Sequence, residues 1–186
     1  MTSRRRHTVY TVEMDSAFPD SAFLDYSARK LQQLGLRIET CLNSLNEDQV
    51  WARGGETENA VGNLVLHLCG NVRQWIVSGV GGHPDLRDRD AEFSATGGAL
   101  IDLAERLRRT VEEAATVVNA VPAERLTERI MVQKYDVTVL EAIYHVVEHF
   151  SMHTGQIIFA TKMLTGSDLG FHRHLRTTAA HGQTTP

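Results

Sequence analysis

The sequence predicts an all-α protein built as a four-helix bundle. Four long segments place apolar residues at the three-and-four spacing of an amphipathic helix, and no convincing sheet pattern runs between them. The chain of 186 residues is 42% hydrophobic, which is enough for one self-sufficient core. We therefore expect a single domain over residues 1–186, with the bundle itself spanning residues 20–165.

The chain opens with an arm and continues into three of the four predicted helices. Residues 1–18 are polar and lack a helical period, so they predict a short extended N-terminal arm. The first helix starts at Asp20, which is a suitable N-cap residue. The second helix covers about residues 60–78 and stops at a group of glycines, and the third ends at Pro122. The polar stretches at residues 46–59 and 83–98 are predicted to be loops that connect these helices. Residues 129–137 favour a short strand or an extended crossover.

The last helix has a start signal and a stop signal. Thr138 followed three residues later by Glu141 is a capping box, in which each side chain accepts a hydrogen bond from a free backbone amide. Gly166 tolerates a left-handed cap, and Lys162 places a positive charge near the negative end of the helix dipole. The helix is therefore predicted over residues 138–165, and residues 167–186 form a polar C-terminal tail.

Three histidines form one stripe along this helix. His145, His149 and His153 are four residues apart, so they fall within about 80° of one helix face. Neighbouring members are separated by about 6 Å of rise and can share one metal ion, whereas the outer two lie about 12 Å apart and cannot. At most two of the three bind a single ion, and the spacing leaves open which pair it is.

A fourth histidine, His67, lies at the edge of the apolar stripe of the second helix and is predicted to face inward as the third ligand. Three imidazoles on one ion leave a coordination position open, which is typical of catalytic sites. Imidazole ligands suit zinc, nickel, copper or iron. Candidates to orient the imidazoles through hydrogen bonds lie one turn from His67 and on the last helix: Asn63, Asn71, Glu148 and Gln156. No catalytic residue can be assigned from the sequence.

Two other metal motifs are disfavoured. Residues 145–149 match the H-x-x-E-H pattern of metalloproteases, but the chain lacks a further acidic ligand and a peptide cleft, and His153 would have no role. A di-iron bundle needs Glu-x-x-His on its helices, and the sequence has none. His172, His174 and His181 are in the polar tail and are expected to be surface groups.

Composition narrows the partners and the compartment. The net charge of -4, with Lys and Arg scattered among acids, gives no basic face for nucleic acid or anionic lipid. No run of 18 apolar residues exists, and the N-terminus is too polar for a secretion signal. The two cysteines, Cys41 and Cys69, show no C-x-x-C spacing. We expect a cytoplasmic protein that contacts neither nucleic acid nor a membrane.

The residues around the histidine stripe resemble a known family. The segment HVVEHFSMHTGQI (residues 145–157), together with an inward His67 on the second helix, is similar to the DinB-like and YfiT-like superfamily of candidate metalloenzymes. The closing segment TKMLTGSDLGF (residues 161–171) resembles one of its subgroups of uncharacterised function. The resemblance covers about residues 22–171.

The resemblance implies an up-down-down-up bundle, usually a homodimer, with one zinc or nickel ion held by His67, His149 and His153. His145 then becomes a pocket residue. The family commonly has an adjacent His-His or an Arg at the position before the Gly-Gln, whereas Met152 precedes His153 here and Thr154 follows it.

Relatives in that superfamily include thiol S-transferases that use low-molecular-weight thiols. The resemblance therefore implies a metal-dependent transferase of the thiol S-transferase type, or a hydrolase, in which the ion activates a thiol or water. Its substrate would be a small molecule, for example a low-molecular-weight thiol. The alternative is a non-catalytic, stress-related metal-binding bundle in which the ion is structural or sensory.

Overall fold

The computed structural model describes residues 17–173 and has four main helices packed together with a small β-hairpin. The helices are α1 (Ala17–Leu42), α2 (Glu47–Trp51), α3 (Val61–Val72), α4 (Arg89–Ser94), α5 (Leu100–Asn119) and α6 (Val139–Thr165). A π-helix (Arg73–Val80) continues α3, a 3-10 turn (Ala123–Thr127) follows α5, and the hairpin consists of β1 (Arg129–Val132) and β2 (Tyr135–Thr138). The predicted all-α four-helix architecture is confirmed.

The four long helices form a closed ring around one core. α1 packs against α5 and α6, and α3 packs against the same two helices. Each helix contributes fully buried side chains to the centre, for example Leu31, Leu68, Leu107 and Phe150. Burying such apolar side chains supplies the main stabilisation of the bundle. Because α3 and α6 are neighbours in this ring, the histidines of one helix can face those of the other.

The predicted ends of α6 are confirmed. The Glu141 amide donates to Thr138 Oγ1 at 3.1 Å, and the Thr138 amide donates to Glu141 Oε2 at 2.6 Å. At the other end Gly166 has a φ of 65° and its amide donates to the Lys162 carbonyl at 2.8 Å. This left-handed cap favours glycine because, at a positive φ, a β-carbon crowds the backbone of its own residue.

The structure differs from the prediction in several elements. α1 starts at Ala17, three residues before Asp20, and the two segments expected to be polar loops contain the short helices α2 and α4. The second long helix changes to a π-helix at Arg73 and extends to Val80. Gly79 lies in that π-helix, where Val132 of the hairpin occupies the space that a β-carbon would need. Close packing of the hairpin therefore depends on this glycine.

The hairpin lies over the π-helical part of the bundle. β1 and β2 pair antiparallel, with Val132 opposite Tyr135, and the turn between them holds Gln133 at a φ of 57°. Gln133 Nε2 donates to Gln74 Oε1 at 2.6 Å, and the Tyr135 ring stacks on Trp75 with centroids 6.1 Å apart. These contacts bring the hairpin next to the histidine stripe.

Some predictions fall on residues that the structure does not describe. Most of the expected N-terminal arm, His174 and His181 lie outside residues 17–173. His172 is exposed at the end of the described chain. Across residues 17–173, none of the helices combines the length and the apolar character needed to cross a membrane.

Candidate metal centre

The structure brings three histidines together between α3 and α6. His67 is 7% exposed on α3, while His149 and His153 are half-buried one turn apart on α6. One ring nitrogen from each lies within 4.8 Å of the others. His67 Nε2 is 2.9 Å from His149 Nε2, and the His149 and His153 ring centroids are 4.4 Å apart. This arrangement of three residues, called the triad below, is a group that can hold a metal ion.

A buried ion pair orients the His67 ring. His67 Nδ1 lies 3.2 Å from Glu92 Oε2, and Arg87 donates to the same carboxylate from Nε at 2.7 Å and from Nη2 at 2.8 Å. Arg87 Nη2 also lies 3.1 Å from His67 Nδ1. Because a carboxylate only accepts, we place a proton on His67 Nδ1, so that this N–H and the Arg87 N–H groups all donate to Glu92. His67 then presents the lone pair of Nε2 to the triad.

A second hydrogen bond fixes the His153 ring. His153 Nδ1 donates to the side-chain carbonyl of Gln156 at 2.6 Å, which leaves Nε2 as the free acceptor nitrogen. A hydrogen bond on one ring nitrogen is the usual way in which proteins fix the orientation of a metal-binding imidazole. Gln156 is among the residues predicted to orient the imidazoles, and the structure places it beside His153.

The donor set fits a divalent metal ion such as zinc or nickel. Two imidazole nitrogens that share one ion at about 2.0–2.1 Å lie about 3.0–3.4 Å apart, close to the 2.9 Å between His67 and His149. All three nitrogens belong to imidazoles, and imidazole is a common ligand of zinc, copper, iron and nickel ions in proteins. Which histidines bind an ion stays a prediction until a metal is measured.

Burial lowers the pKa of two of the triad imidazoles, His149 and His153. Burial, and then the neighbouring His153, His67 and His145, lower the pKa of His149 to about 4. Burial likewise lowers the pKa of His153, against a smaller opposite effect of the Gln156 hydrogen bond. Burial alone would raise the pKa of Glu92, but its hydrogen bonds with Arg87 and His67 hold that pKa below the usual range. At neutral pH the site therefore combines the neutral imidazoles of His149 and His153 with the ionised carboxylate of Glu92.

The low pKa of His149 predicts how the stability of the metal-free protein depends on pH. In the unfolded chain this group titrates near pH 6.5, whereas in the folded chain it titrates near 4. Between these values the unfolded state binds more protons, so the free energy of unfolding should fall as pH drops from 6.5 towards 4. Urea unfolding at several pH values measures the slope. His149→Gln should flatten it, and an unchanged slope would show that His149 titrates normally.

Gly70 makes room for Glu92. Gly70 lies three residues after His67 on α3, and the space that its β-carbon would need is occupied by the Glu92 carboxylate. Asn63 supports the same segment by donating from Nδ2 to the backbone carbonyls of Glu92 at 3.0 Å and Ala95 at 2.8 Å. Within residues 17–173, Asn63 makes no hydrogen bond to a triad ring. It therefore acts on the site indirectly, by holding α4 in position.

Gly70→Ala should displace Glu92 and weaken metal binding by about tenfold, because the outer hydrogen-bond partner of a metal ligand contributes that much. The matched control is Gly155→Ala in α6, where an added β-carbon meets no atom within 4 Å. That control should keep metal affinity and raise stability by about 0.5–1 kcal/mol, since alanine favours a helix over glycine. Calorimetric zinc titration and urea unfolding measure both effects. Equal affinities for the two variants would contradict the placement of Glu92.

A cavity of about 510 Å³ lies beside the triad, and His67 and His149 form part of its wall. We call it the triad cavity; its other lining residues are Asn71, Trp75, Arg87, Arg89, Gln133, Tyr135, Val137, Glu141 and His145. The volume lies in the range of about 300–1,000 Å³ found for small-molecule sites. The triad is therefore next to a space that a small molecule can enter.

His145 and Glu148 lie outside the triad. His145 packs against Trp75 with ring centroids 4.3 Å apart and stacks on His149 at 5.6 Å. Burial lowers the pKa of His145, and the charge of Glu148 raises it by a smaller amount. Glu148 is exposed on α6 and makes no hydrogen bond to the triad in the described part of the chain. The structure thus places His145 in the cavity wall and Glu148 on the surface nearby.

The sequence analysis missed Arg87 and Glu92, which lie in the segment expected to be a polar loop. A local signal for α4 exists, because Asp88 accepts a hydrogen bond from the Ala91 amide as an N-cap. Nothing local shows that Glu92 turns inward. That orientation depends on the space at Gly70, 22 residues earlier in the chain.

Comparison with known proteins gives one family match. The model of a family described as "Protein of unknown function (DUF1572)" matches residues 20–172, which includes the triad and all of the four long helices except the first three residues of α1. No curated protein matches the chain.

Proposed function

The chain belongs to DUF1572, a DinB/YfiT-like family of unknown function, and from that premise we propose that it is a metal-dependent transferase or hydrolase. The observation that carries the proposal is the triad, whose three nitrogens converge within 4.8 Å beside the triad cavity. When bound, a divalent ion supplies Lewis acidity that lowers the pKa of a neighbouring thiol or water. Zinc and nickel are the metals that we propose.

The residues of the chain prepare the site for this chemistry. Glu92 and Gln156 hold His67 and His153 with their Nε2 lone pairs free, so little reorganisation is needed when an ion binds. His145 in the cavity wall is neutral at pH 7 because burial lowers its pKa. Its imidazole can accept the proton that a thiol or water loses.

A cobalt-substituted protein tests the proposal because cobalt(II) reports its ligands in the visible spectrum. We expect one cobalt per chain, and we expect 2-mercaptoethanol to add a thiolate-to-cobalt band as the thiol binds beside the triad. Zinc protein should then transfer that thiol to an electrophile such as 1-chloro-2,4-dinitrobenzene faster than His149→Ala does, and should be screened in parallel for ester hydrolysis.

The outcomes separate the enzyme from a structural metal site. Cobalt that binds and raises the melting temperature, with no spectral response to thiol and no turnover, would contradict the enzyme. That outcome would favour a bundle in which the ion links α3 to α6 for stability. Failure to bind any cobalt or zinc would exclude both roles.

A further inference from the structure

The wall of the triad cavity contains a buried amide whose oxygen has no hydrogen-bond partner among residues 17–173. Asn71 lies one turn after His67 on α3, lines the cavity and is only 5% exposed, and its Oδ1 accepts no hydrogen bond from the described residues. A buried polar atom without a partner costs about 1–3 kcal/mol. Such a cost is expected where the group serves a ligand rather than the fold.

An arginine supplies charge in the same cavity wall. Arg89 is exposed and makes no ion pair within residues 17–173, although its guanidinium lies over the Phe93 ring at 4.9 Å from the centroid. The other arginine of the cavity, Arg87, is occupied by Glu92 and by Gln74. Arg89 is therefore the cation of this wall that remains available to a ligand.

Glu141, the acidic residue of the cavity wall, already has hydrogen-bond partners. It accepts hydrogen bonds from both the amide and the hydroxyl of Thr138 in the capping box, and those hydrogen bonds lower its pKa. It also lies at the N-terminus of α6, where the helix dipole balances a negative charge. The wall also has an aromatic part, because the Trp75 ring contacts both Tyr135 and His145, and Val137 lines the same cavity.

We propose that the triad cavity binds a small organic anion with an apolar, ring-sized body. Arg89 pairs with the anionic group, Asn71 Oδ1 accepts a hydrogen bond from a hydroxyl or amine on the body of the ligand, and the body packs against the aromatic part of the wall. A guanidinium suits carboxylate and phosphate groups because it offers paired donors. The inference deepens the proposed function, on which it rests, by naming the class of molecule that this site takes.

4-Hydroxybenzoate and its neutral isostere 4-hydroxybenzamide, shortened below to benzoate and benzamide, are suitable probes, because the ring hydroxyl of each supplies the donor that Asn71 Oδ1 lacks. Each is titrated into the zinc-loaded and the metal-free protein while the two tryptophan indole signals are followed by proton–nitrogen NMR. Trp75 lines the cavity and should shift, whereas Trp51, whose indole donates to the Gly98 carbonyl, serves as an internal reference. We expect benzoate to bind at least about fivefold more tightly than benzamide, because a charge-assisted pair is about twice as strong as a neutral one.

Two arginine variants decide the origin of that preference. Arg89→Gln should reduce the affinity ratio of benzoate to benzamide to about one, whereas Arg109→Gln, at an exposed position on α5 outside the cavity, should leave it unchanged. If Arg89→Gln left the affinity ratio of benzoate to benzamide unchanged, the carboxylate would be binding the zinc ion instead of Arg89. That result would overturn the inference. Equal binding of the two probes to the original protein would also overturn it.

Asn71→Ala separates a ligand contact from a structural role. Because the amide oxygen has no partner, its removal should leave the melting temperature unchanged or higher while both probes bind several-fold more weakly. A lower melting temperature with unchanged probe binding would show that Asn71 serves the fold. Zinc binding is measured on the same samples. A protein that binds benzoate through Arg89 but takes up no zinc refutes the metal proposal alone, and one that takes up zinc without the preference refutes the anion site alone.

Discussion

His149→Ala is expected to abolish stoichiometric zinc binding. His149 is the central member of the triad, with its Nε2 at 2.9 Å from His67 Nε2 and its ring centroid at 4.4 Å from that of His153. Its loss leaves two imidazoles on different helices, and such a pair cannot hold an ion against competing water. We expect affinity to fall by more than about a hundredfold, because loss of an outer partner alone costs 10–100-fold. Competition with a chromophoric zinc chelator measures the affinity.

His145→Ala is the matched control for this experiment. It removes an imidazole one turn earlier on the same helix, but His145 contacts Trp75 and the face of His149 rather than the converging nitrogens. Zinc affinity should therefore change only modestly, while His67→Ala and His153→Ala should behave like His149→Ala. Equal losses for His145→Ala and His149→Ala, with none for His153→Ala, would move the site one turn towards the N-terminus of α6.

Glu92→Ala is expected to have the largest effect on stability. The change leaves the Arg87 charge buried, since the side chains of both residues are only 4% exposed. Breaking a buried ion pair by removal of one partner costs about 3–5 kcal/mol. Zinc affinity should also fall by about 10–100-fold, because His67 loses the acceptor that fixes its ring. Urea unfolding and zinc competition measure the two effects separately.

The double variant Arg87→Met with Glu92→Leu distinguishes the two roles of the ion pair. Replacing both charges by apolar groups of similar volume is often neutral or stabilising, so the double variant should recover most of the stability that Glu92→Ala loses. Its zinc affinity should stay low, because neither side chain can orient His67. A double variant that recovers zinc affinity together with stability would show that the ion pair serves the fold alone.

Local signals made the fold and the centre of the site predictable. The capping box and the glycine stop of α6 depend on residues within one turn, and both are found as expected. The four-residue spacing of His149 and His153 also fixes them on one face of α6, whatever the rest of the chain does. The position of His67 at the edge of the apolar stripe of α3 then required only that α3 and α6 be neighbours.

Contacts between distant segments could not be predicted in the same way. Glu92 reaches His67 because Gly70 lacks a side chain, and neither residue has a local feature that indicates the other. The change from α-helix to π-helix at Arg73 has no signal in the apolar spacing, and it accompanies packing of the hairpin at Gly79. The unpartnered Asn71 amide likewise becomes visible only when the packing around it is known.

An anomalous difference map at the zinc absorption edge, from crystals of the protein grown with zinc, shows whether the triad binds an ion. We expect one strong peak per chain, within about 2.1 Å of the Nε2 atoms of His67, His149 and His153, on the side of the triad cavity. The absence of a peak at the triad, or a peak between His145 and His149 that excludes His153, would contradict this expectation.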